Sequence, residues 1–347
     1  MNDYTDKTIY MGIDVHKKTY ALTSICENEI VKRDTLEADP DKLLNYIKKR
    51  FAGAKVYTAY EAGFSGFHLH RFLIKNEINN IVVHPASIEV SARDRVKTDK
   101  RDSLKIAKQL SDGRLRGVTI PSEKRENFRT ITRTRDQLVE HKKRIGNQLK
   151  SLLFLHGLIG PEDDRKIGKQ WIKEIKGLEM AEEVKYCIDL YAQEWLRLGE
   201  KLLEITKKLA EQAEQDKAVD EMYRAVPGIG ALSARILANE LEAMKHFSNE
   251  KQLFSYTGLT PSEHSSGEHR RQGKISRQGK AILRKILIQV AWRAIKQDTL
   301  LLAIFERISK RAGKKRAIVA VARKLIGQIR ATFVSGEMYV MTTEVTK

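Results

Sequence analysis

The chain has 347 residues, with 64 Lys or Arg against 45 Asp or Glu, so its formal net charge is +19. This length allows two or three domains with their own cores, and the charge favours a polyanionic partner, nucleic acid first. The only cysteines, Cys26 and Cys187, argue against a disulfide framework or a zinc site. With no signal peptide and no apolar run near ~18 residues, we expect a cytoplasmic, nucleoid-associated protein without membrane contact.

The first 120 residues alternate short apolar segments with amphipathic ones. Apolar runs bounded by polar turns predict strands, and apolar residues spaced three or four apart predict helices. This alternation is typical of an α/β sheet with helices packed on it, in which sites gather at strand ends. Strands are predicted over 9–13, 20–25, 29–35, 54–60 and 80–84, and helices over 39–51 and 67–75.

Four carboxylates occupy positions where such a fold could bring them together. Asp14 and Glu61 end predicted strands, and Asp99 and Asp102 share one face at the start of a predicted helix. A carboxylate at the end of a buried strand is costly unless a cation meets it. Hard oxygen ligands suit Mg²⁺, for which Mn²⁺ can substitute. For the helical pair a second interpretation stays open, in which neighbouring Lys and Arg side chains make a solvated, salt-bridged helix start.

Two long helices are predicted in the middle of the chain, over 122–156 and 181–214, separated by a break at 157–161. The second helix has apolar residues alternating four and three apart, which is typical of a coiled-coil seam. These helices either fold back on each other within one chain or pair between chains. The seam residues are Val184, Ile188, Tyr191, Trp195, Leu198, Leu202, Ile205 and Leu209.

The C-terminal part is predicted to be mostly helical, over 231–241, 250–256, 281–295, 300–309 and 317–334, with a basic linker over 310–316. The turn Val226–Gly230 before the first of these resembles a helix-hairpin-helix motif. In that motif backbone N–H groups meet a phosphate, so Gly228 and Gly230 are candidate nucleic-acid contacts. A simple glycine turn is the alternative.

A polar, basic stretch over 259–280 contains the sequence Ser265-Ser266-Gly267. A serine hydroxyl is a poor nucleophile until its proton is removed, and neighbouring cations would stabilise charge on a transferring phosphoryl group. Alternatively, the stretch only contacts a DNA backbone. The basic candidates for nucleic-acid binding are Lys97, Arg270, Arg271, Lys274, Arg277 and Lys280.

Taken together and in order, these motifs resemble those of one family: insertion-sequence transposases that join an N-terminal RuvC-like DEDD domain to a C-terminal transposase domain. The resemblance covers nearly the whole chain. One departure is the turn Gly63-Phe64-Ser65-Gly66, where the family often has Thr-Gly. The matching motifs are Gly12-Ile-Asp14-Val-His-Lys, Glu61-Ala-Gly, Lys97-Thr-Asp99-x-x-Asp102, Pro227-Gly-Ile-Gly230 and Gly258-Leu-Thr-Pro261 followed by Ser266-Gly267.

The resemblance implies an RNA-guided DNA recombinase. It implies that the DEDD acids bind Mg²⁺ and that Ser266 is a nucleophile forming a transient 5′-phosphoserine link to DNA. Ser265 and Ser276 are weaker choices for that role. The implied partners are donor and target DNA, a structured bridge RNA encoded by the element, and further copies of the chain. A dimer is suggested by the seam and a tetramer by the family, whose active site combines two subunits.

For the fold, we expect an RNase H-like (RuvC-like) mixed sheet over 1–120. Long coiled-coil helices follow over 121–218, and a mostly helical transposase domain carries the serine loop over 219–347. Two other functions stay open. One is a metal-dependent, structure-specific nuclease, like a Holliday-junction resolvase, that only hydrolyses DNA. The other is a non-enzymatic nucleic-acid-binding protein, although a decayed site would be expected to lose some of its four acids.

Overall fold

The structure is a computed structural model that describes residues 3–89, 99–263 and 272–341. The chain forms two compact units, Met1–Ile120 and Pro121–Lys347. In the described part, no helix has the length and apolar character needed to span a bilayer. The division of the second unit at residue 218 stays a prediction.

The first unit is built around a five-stranded mixed sheet with the order β3-β2-β1-β4-β5. The antiparallel strands β1, β2 and β3 form a meander, and β4 and β5 run parallel to β1. This agrees with the predicted α/β fold and its RNase H-like arrangement. The elements are β1 Thr8–Val15, β2 Thr19–Cys26, β3 Glu29–Glu37, α1 Pro40–Arg50, β4 Lys55–Glu61, α2 His68–Lys75, β5 Asn79–Val83 and α3 Asp99–Ser111.

Helices cover both faces of this sheet. Ile9, Met11 and Ile13 alternate along β1 and are buried in one cluster with apolar residues of α1 and α2. Because side chains alternate across a strand, Gly12 between them faces the opposite side, where α3 packs. Helix α1 begins after Asp39, whose carboxylate accepts hydrogen bonds from backbone N–H groups of the first turn.

The second unit begins with two long helices, α4 (Glu123–Leu155) and α6 (Glu182–Glu214), separated by the short α5 (Lys169–Lys176). Helices α4 and α6 pack against each other in the same chain. They run antiparallel, because Arg135 near the start of α4 donates to Thr206 near the end of α6, while Gly146 lies against Trp195. Assembly of subunits through the seam stays a prediction.

In the described part of the second unit, six further helices and a small hairpin follow, around a core shared by α8, α9, α10 and α12. The helix pair around the Val226–Gly230 turn is α7 and α8, so this turn does join two helices. These elements are α7 Lys217–Arg224, α8 Ala231–Leu241, α9 Glu250–Thr257, β6 Pro261–Glu263, β7 Gln272–Ile275, α10 Ala281–Ala294, α11 Thr299–Ala312 and α12 Lys314–Ser335.

One boundary prediction is wrong. The basic stretch 310–316 is not a linker, because α11 continues to Ala312 and α12 begins at Lys314. Gly313 alone separates the two helices, with φ 81° and ψ 157°, a conformation open to glycine. Lys and Arg do not break a helix. The run of basic residues was therefore wrongly taken as the end of α11 and the start of α12.

Candidate functional site

Two of the predicted acids lie next to each other at the ends of parallel strands. Strands β1 and β4 pair with Ile13 opposite Tyr60. One register position further along, Asp14 on β1 lies beside Glu61, the last residue of β4. Residues that are in register on neighbouring strands project from the same face of the sheet. The two carboxylates therefore share the face that carries Gly12 and α3.

Helix α3 is seated directly on β1 at Gly12. A Cβ added there would lie 2.1 Å from the carbonyl oxygen of Ser103 and 2.5 Å from the backbone nitrogen of Ala107. Only glycine allows such an approach. A buried hydrogen bond of 2.9 Å between the hydroxyls of Ser103 and Thr23 joins the helix to β2 as well. These contacts fix the start of α3, which carries Asp102, against the strands that carry the other acids.

Two of these acids already have a nitrogen-bearing side chain beside them. The Nε2 atom of His16 lies 3.1 Å from Oδ2 of Asp14, and the Nζ atom of Lys105 lies 3.4 Å from Oδ1 of Asp102. The carboxylate of Glu61 is exposed and has no hydrogen-bond or ion-pair partner among the described residues. The charge near Glu61 is thus left to solvent or to a ligand.

The turn after Glu61, where the sequence departs from the family pattern, is held by side chains of the fold. The hydroxyl of Tyr60 donates to the carbonyl oxygen of Gly66 at 3.0 Å and accepts from the backbone N–H of His70. Gly66 has φ 59°, which favours glycine. The turn that follows Glu61 is therefore held in place even though its sequence differs from the family pattern.

The chemistry of these side chains fits a hard divalent cation, since all the donors are carboxylate oxygens on neighbouring elements. Among the side chains that the structure describes, no three His, Cys, Asp or Glu residues are close enough to hold an ion. Asp99 begins α3, but its side chain is outside that set. The described acids supply two neighbouring carboxylates and, on α3, a third that is paired with Lys105.

The second candidate site belongs to the segment between strands β6 and β7. These two strands form a hairpin that was not predicted from the sequence. Its strands pair with Pro261 opposite Ile275. Chain connectivity places the predicted nucleophile Ser266 three residues beyond β6. Five predicted residues of the two candidate sites lie outside the described residues, and they are Lys97, Ser265, Ser266, Arg270 and Arg271.

The base of this hairpin is closed by a contact between two glycines. A Cβ on Gly279 would lie 2.2 Å from the carbonyl oxygen of Tyr256 and 2.3 Å from the backbone nitrogen of Gly258. Gly258 itself has φ 67° and ends α9. On α10, Arg284 donates from Nη1 to the carbonyl oxygens of Gly279, at 2.6 Å, and Thr257, at 3.2 Å. One guanidinium therefore ties together the chain entering and the chain leaving the hairpin.

Three of the predicted cations lie on this hairpin or at its base. Lys274 and Arg277 are exposed, and Arg277 has a φ of 58°, an uncommon value for a residue with a side chain. Lys280 keeps access to solvent, but burial of part of its side chain, together with the nearby charge of Arg133, lowers its pKa. Arg133 forms a two-pronged ion pair with the fully buried Glu240, at 2.8 and 2.9 Å.

The Val226–Gly230 turn gives its two candidate glycines different environments. Gly228 has φ 80°, and a Cβ there would lie 2.8 Å from Cβ of Arg293 and 2.9 Å from the carbonyl oxygen of Val290. Its lack of a side chain is thus required by packing on α10. Gly230 is exposed, begins α8 without a side-chain cap and has open space around it. A phosphate contact at this turn stays a prediction, and Gly230 is the more accessible of the two.

Two family models match the chain. One, described as a transposase of the IS116/IS110/IS902 family, matches residues 220–305, and the other, a DEDD transposase of the IS110 type, matches residues 11–156. The acids at the ends of β1 and β4 lie within the second match, and the β6–β7 hairpin lies within the first.

Several related proteins match over most of the chain. The putative transposase y4rJ of Sinorhizobium fredii is 31% identical over 294 residues, covering 77% of this chain and 74% of the relative. The putative transposase y4qE of the same organism is 28% identical, covering 92% and 86%. The transposase for insertion sequence element IS1533 of Leptospira borgpetersenii is 26% identical, covering 92% and 93%.

Proposed function

The chain belongs to the IS110/IS116 family of insertion-sequence transposases, and on that premise we propose that it cuts and rejoins DNA through a serine nucleophile and a metal-binding DEDD site. Membership of this family implies a DNA-cleaving and recombining enzyme whose DEDD domain requires a divalent metal. The proposal adds the residues: Asp14, Glu61, Asp99 and Asp102 as ligands, and Ser266 as nucleophile.

The observation that carries the proposal is the adjacency of Asp14 and Glu61 under α3. Two carboxylates in register on parallel strands repel each other unless a cation lies beside them. Glu61 has no cationic partner among the described residues. Helix α3 brings Asp102 to the same face, and Asp99 precedes it by one helical turn. The same helix thus supplies the two remaining acids of the motif.

When bound, Mg²⁺, or Mn²⁺ in its place, supplies positive charge for the scissile phosphate and acidifies a coordinated hydroxyl. The protein's own contribution is to hold the ligands. Asp14 and Glu61 are fixed by the sheet register, and Asp102 by the contact of α3 with Gly12. His16 and Lys105 orient two of the carboxylates.

In the proposed reaction the hydroxyl of Ser266 attacks the phosphorus of a DNA phosphodiester. The bond from Oγ to phosphorus forms while the bond from phosphorus to the 3′ oxygen breaks. The serine loses its proton, and the departing 3′ oxygen gains one. One phosphoester replaces another, so attack by the 3′ hydroxyl of a second strand can rejoin the DNA without an added energy source.

The proposed substrates are donor and target DNA, and the proposed guide is an element-encoded bridge RNA that selects them by base pairing. The high positive charge of the chain suits both nucleic acids. In the proposed assembly, the DEDD domain of one subunit and the serine loop of another share one active site. A dimer is the smallest assembly that meets this requirement, and a tetramer is the family's arrangement.

A trap for the covalent intermediate tests this function. Full-length protein, its RNA, labelled donor and target DNA and Mg²⁺ are mixed, denatured and separated on a gel. We expect a band of protein linked to DNA that is lost with Ser266→Ala and with Asp14→Asn. The adjacent Ser265→Ala is the matched control and should keep the band, as should Ser276→Ala.

Three outcomes would contradict the proposal. A linked band that survives Ser266→Ala but not Ser265→Ala moves the nucleophile by one residue. Cut DNA without linked protein, unaffected by Ser266→Ala but abolished by Asp14→Asn, indicates a nuclease that only hydrolyses DNA. Loss of the linked band with Ser266→Ala but not with Asp14→Asn would show that the serine reaction does not need the acids. That result would refute the role proposed for Asp14 and Glu61 at the strand ends.

A further inference from the structure

The junction between α11 and α12, which we call the basic turn, carries a group of exposed cations to which the proposed function gives no role. This basic turn lies around Gly313, and all of its side chains are exposed. None of them has a hydrogen bond or ion pair with another described residue. Its members are Arg307, Lys310, Arg311, Lys314, Lys315 and Arg316.

Some other exposed cations of the second unit have carboxylate partners, unlike the members of this turn. Lys208 pairs with Glu211 at 2.8 Å and Lys217 with Glu221 at 3.8 Å, each on its own helix. Helices α11 and α12 together contain a single acid, Glu306. The sequence therefore supplies almost no carboxylate to balance the basic turn.

The charges at the start of α12 are unfavourable in the free protein. Its first turn holds Lys314, Lys315 and Arg316 and no acid, and Gly313 provides no side-chain cap. The N-terminus of a helix is the positive end of its dipole, so cations there are destabilising. On α11, Arg307 is three and four residues from Lys310 and Arg311, so these like charges share one face. A bound polyanion would relieve both repulsions.

We propose that the basic turn of α11 and α12 binds the phosphate backbone of double-stranded DNA without regard to sequence. Neutralisation of phosphates by Lys and Arg releases counterions and drives such binding. The segment 306–316 contains no aromatic residue, so it lacks the stacking surfaces by which proteins hold single-stranded bases. It also lacks Asn and Gln, which commonly read adenine in the major groove. Positive charge is therefore what the segment offers, and the phosphate backbone is its direct chemical match.

The test measures DNA binding by the full-length chain, independently of cleavage. A variant with Lys310→Gln, Arg311→Gln, Lys314→Gln and Lys315→Gln is titrated with a labelled DNA duplex of arbitrary sequence at several salt concentrations. The matched control carries Lys201→Gln, Lys207→Gln, Lys208→Gln and Lys217→Gln, which are exposed lysines of α6 and α7. Both variants lose four positive charges, so an effect of net charge alone is the same in both.

We expect the slope of log affinity against log salt to fall by about 0.9 for each lost phosphate contact, hence by about 2 to 4 in the basic-turn variant and by less than 1 in the control. The basic-turn variant should also unfold at a temperature no lower than the wild type, because repulsion at the start of α12 has been removed.

Equal slopes in the two variants would overturn the proposal, since net charge would then explain the binding. So would a loss confined to a duplex of RNA of the same length, which would assign the surface to RNA. A lower unfolding temperature for the basic-turn variant would contradict the argument that these charges are unfavourable in the free protein.

Discussion

The two candidate catalytic segments are supported by very different amounts of structure. The acids Asp14 and Glu61 end neighbouring strands of a five-stranded sheet that is covered by helices on both faces. The serine loop is carried by a hairpin of two short strands, which rests on the contact between Gly258 and Gly279 and on one arginine. Two-stranded hairpins are marginally stable alone. The positions of the acids are therefore set by the whole sheet, whereas the position of the hairpin is set by the few contacts at its base.

Replacing Gly12 by alanine tests the first half of this comparison. The added Cβ would meet backbone atoms of Ser103 and Ala107 at 2.1 and 2.5 Å, so α3 must move away from β1. We expect the free energy of unfolding to fall by about 3 kcal/mol, the upper end for overpacking, as measured by urea unfolding with circular dichroism. Gly63→Ala is the control, because its Cβ would meet only the carbonyl oxygen of Glu61, at 3.9 Å. Equal stability of the two variants would refute the tight seat of α3.

Replacing Gly279 by alanine tests the second half. The Cβ would again meet backbone, at 2.2 and 2.3 Å, but a short hairpin at the edge of a helical unit can shift as a whole. We expect a smaller loss of about 1 to 2 kcal/mol in the free energy of unfolding. DNA-linked protein should fall about 100-fold, the effect of a displacement near 1 Å. Gly160→Ala, with open space around it, should change neither. A fully active Gly279→Ala would show that the base does not position the loop.

A smaller effect is expected from the hydrogen bond between Thr23 and Ser103. Both hydroxyls are buried, 2.9 Å apart, and join α3 to β2. Thr23→Val should lower the free energy of unfolding by about 1 kcal/mol. A double-mutant cycle with Ser103→Ala isolates this bond, since the second substitution should then cost less in the Thr23→Val background. Strictly additive losses would show that the bond contributes nothing to the seat of α3.

The sequence predicted much of the first unit because its signals are local. Apolar runs bounded by polar turns predicted five strands, and the sheet is built from strands at these five places. The adjacency of Asp14 and Glu61, by contrast, arises from the parallel pairing of β1 and β4, which joins residues 47 positions apart. Their roles as metal ligands stay a prediction, as does the role of Ser266.

Less could be predicted in the second unit. Helices α5 and α7 have only eight residues each, about two turns, which is too short for their apolar spacing to be recognised as a repeat. The role of Arg284 was missed because its partners are carbonyl oxygens, which no side-chain motif encodes. The need for glycine at position 279 was also missed, although a close backbone contact requires it. A glycine placed just before a predicted helix was the one available signal.

The smallest effect concerns pH and sharpens the contrast between the two regions. The ring of His246 packs against that of Phe247 with a tilt of 42°, and Phe247 makes an edge contact with Tyr256 near the hairpin base. Burial lowers the pKa of His246; nearby Glu242 opposes this shift and Arg129 adds to it.

Because the pKa of His246 is lower in the folded than in the unfolded chain, the unfolded chain binds more protons just below neutrality. The contribution of this histidine to stability is present above its ordinary pKa of about 6.5 and is lost as the pH falls from there through the lower pKa of the folded chain. The urea midpoint should therefore drop between pH 7.5 and pH 5.5 by more in the wild type than in His246→Gln. His156→Gln, which changes an exposed histidine at the end of α4, is the control for titration elsewhere. An equal drop in the wild type and His246→Gln would remove this histidine as a source of pH dependence at the hairpin base.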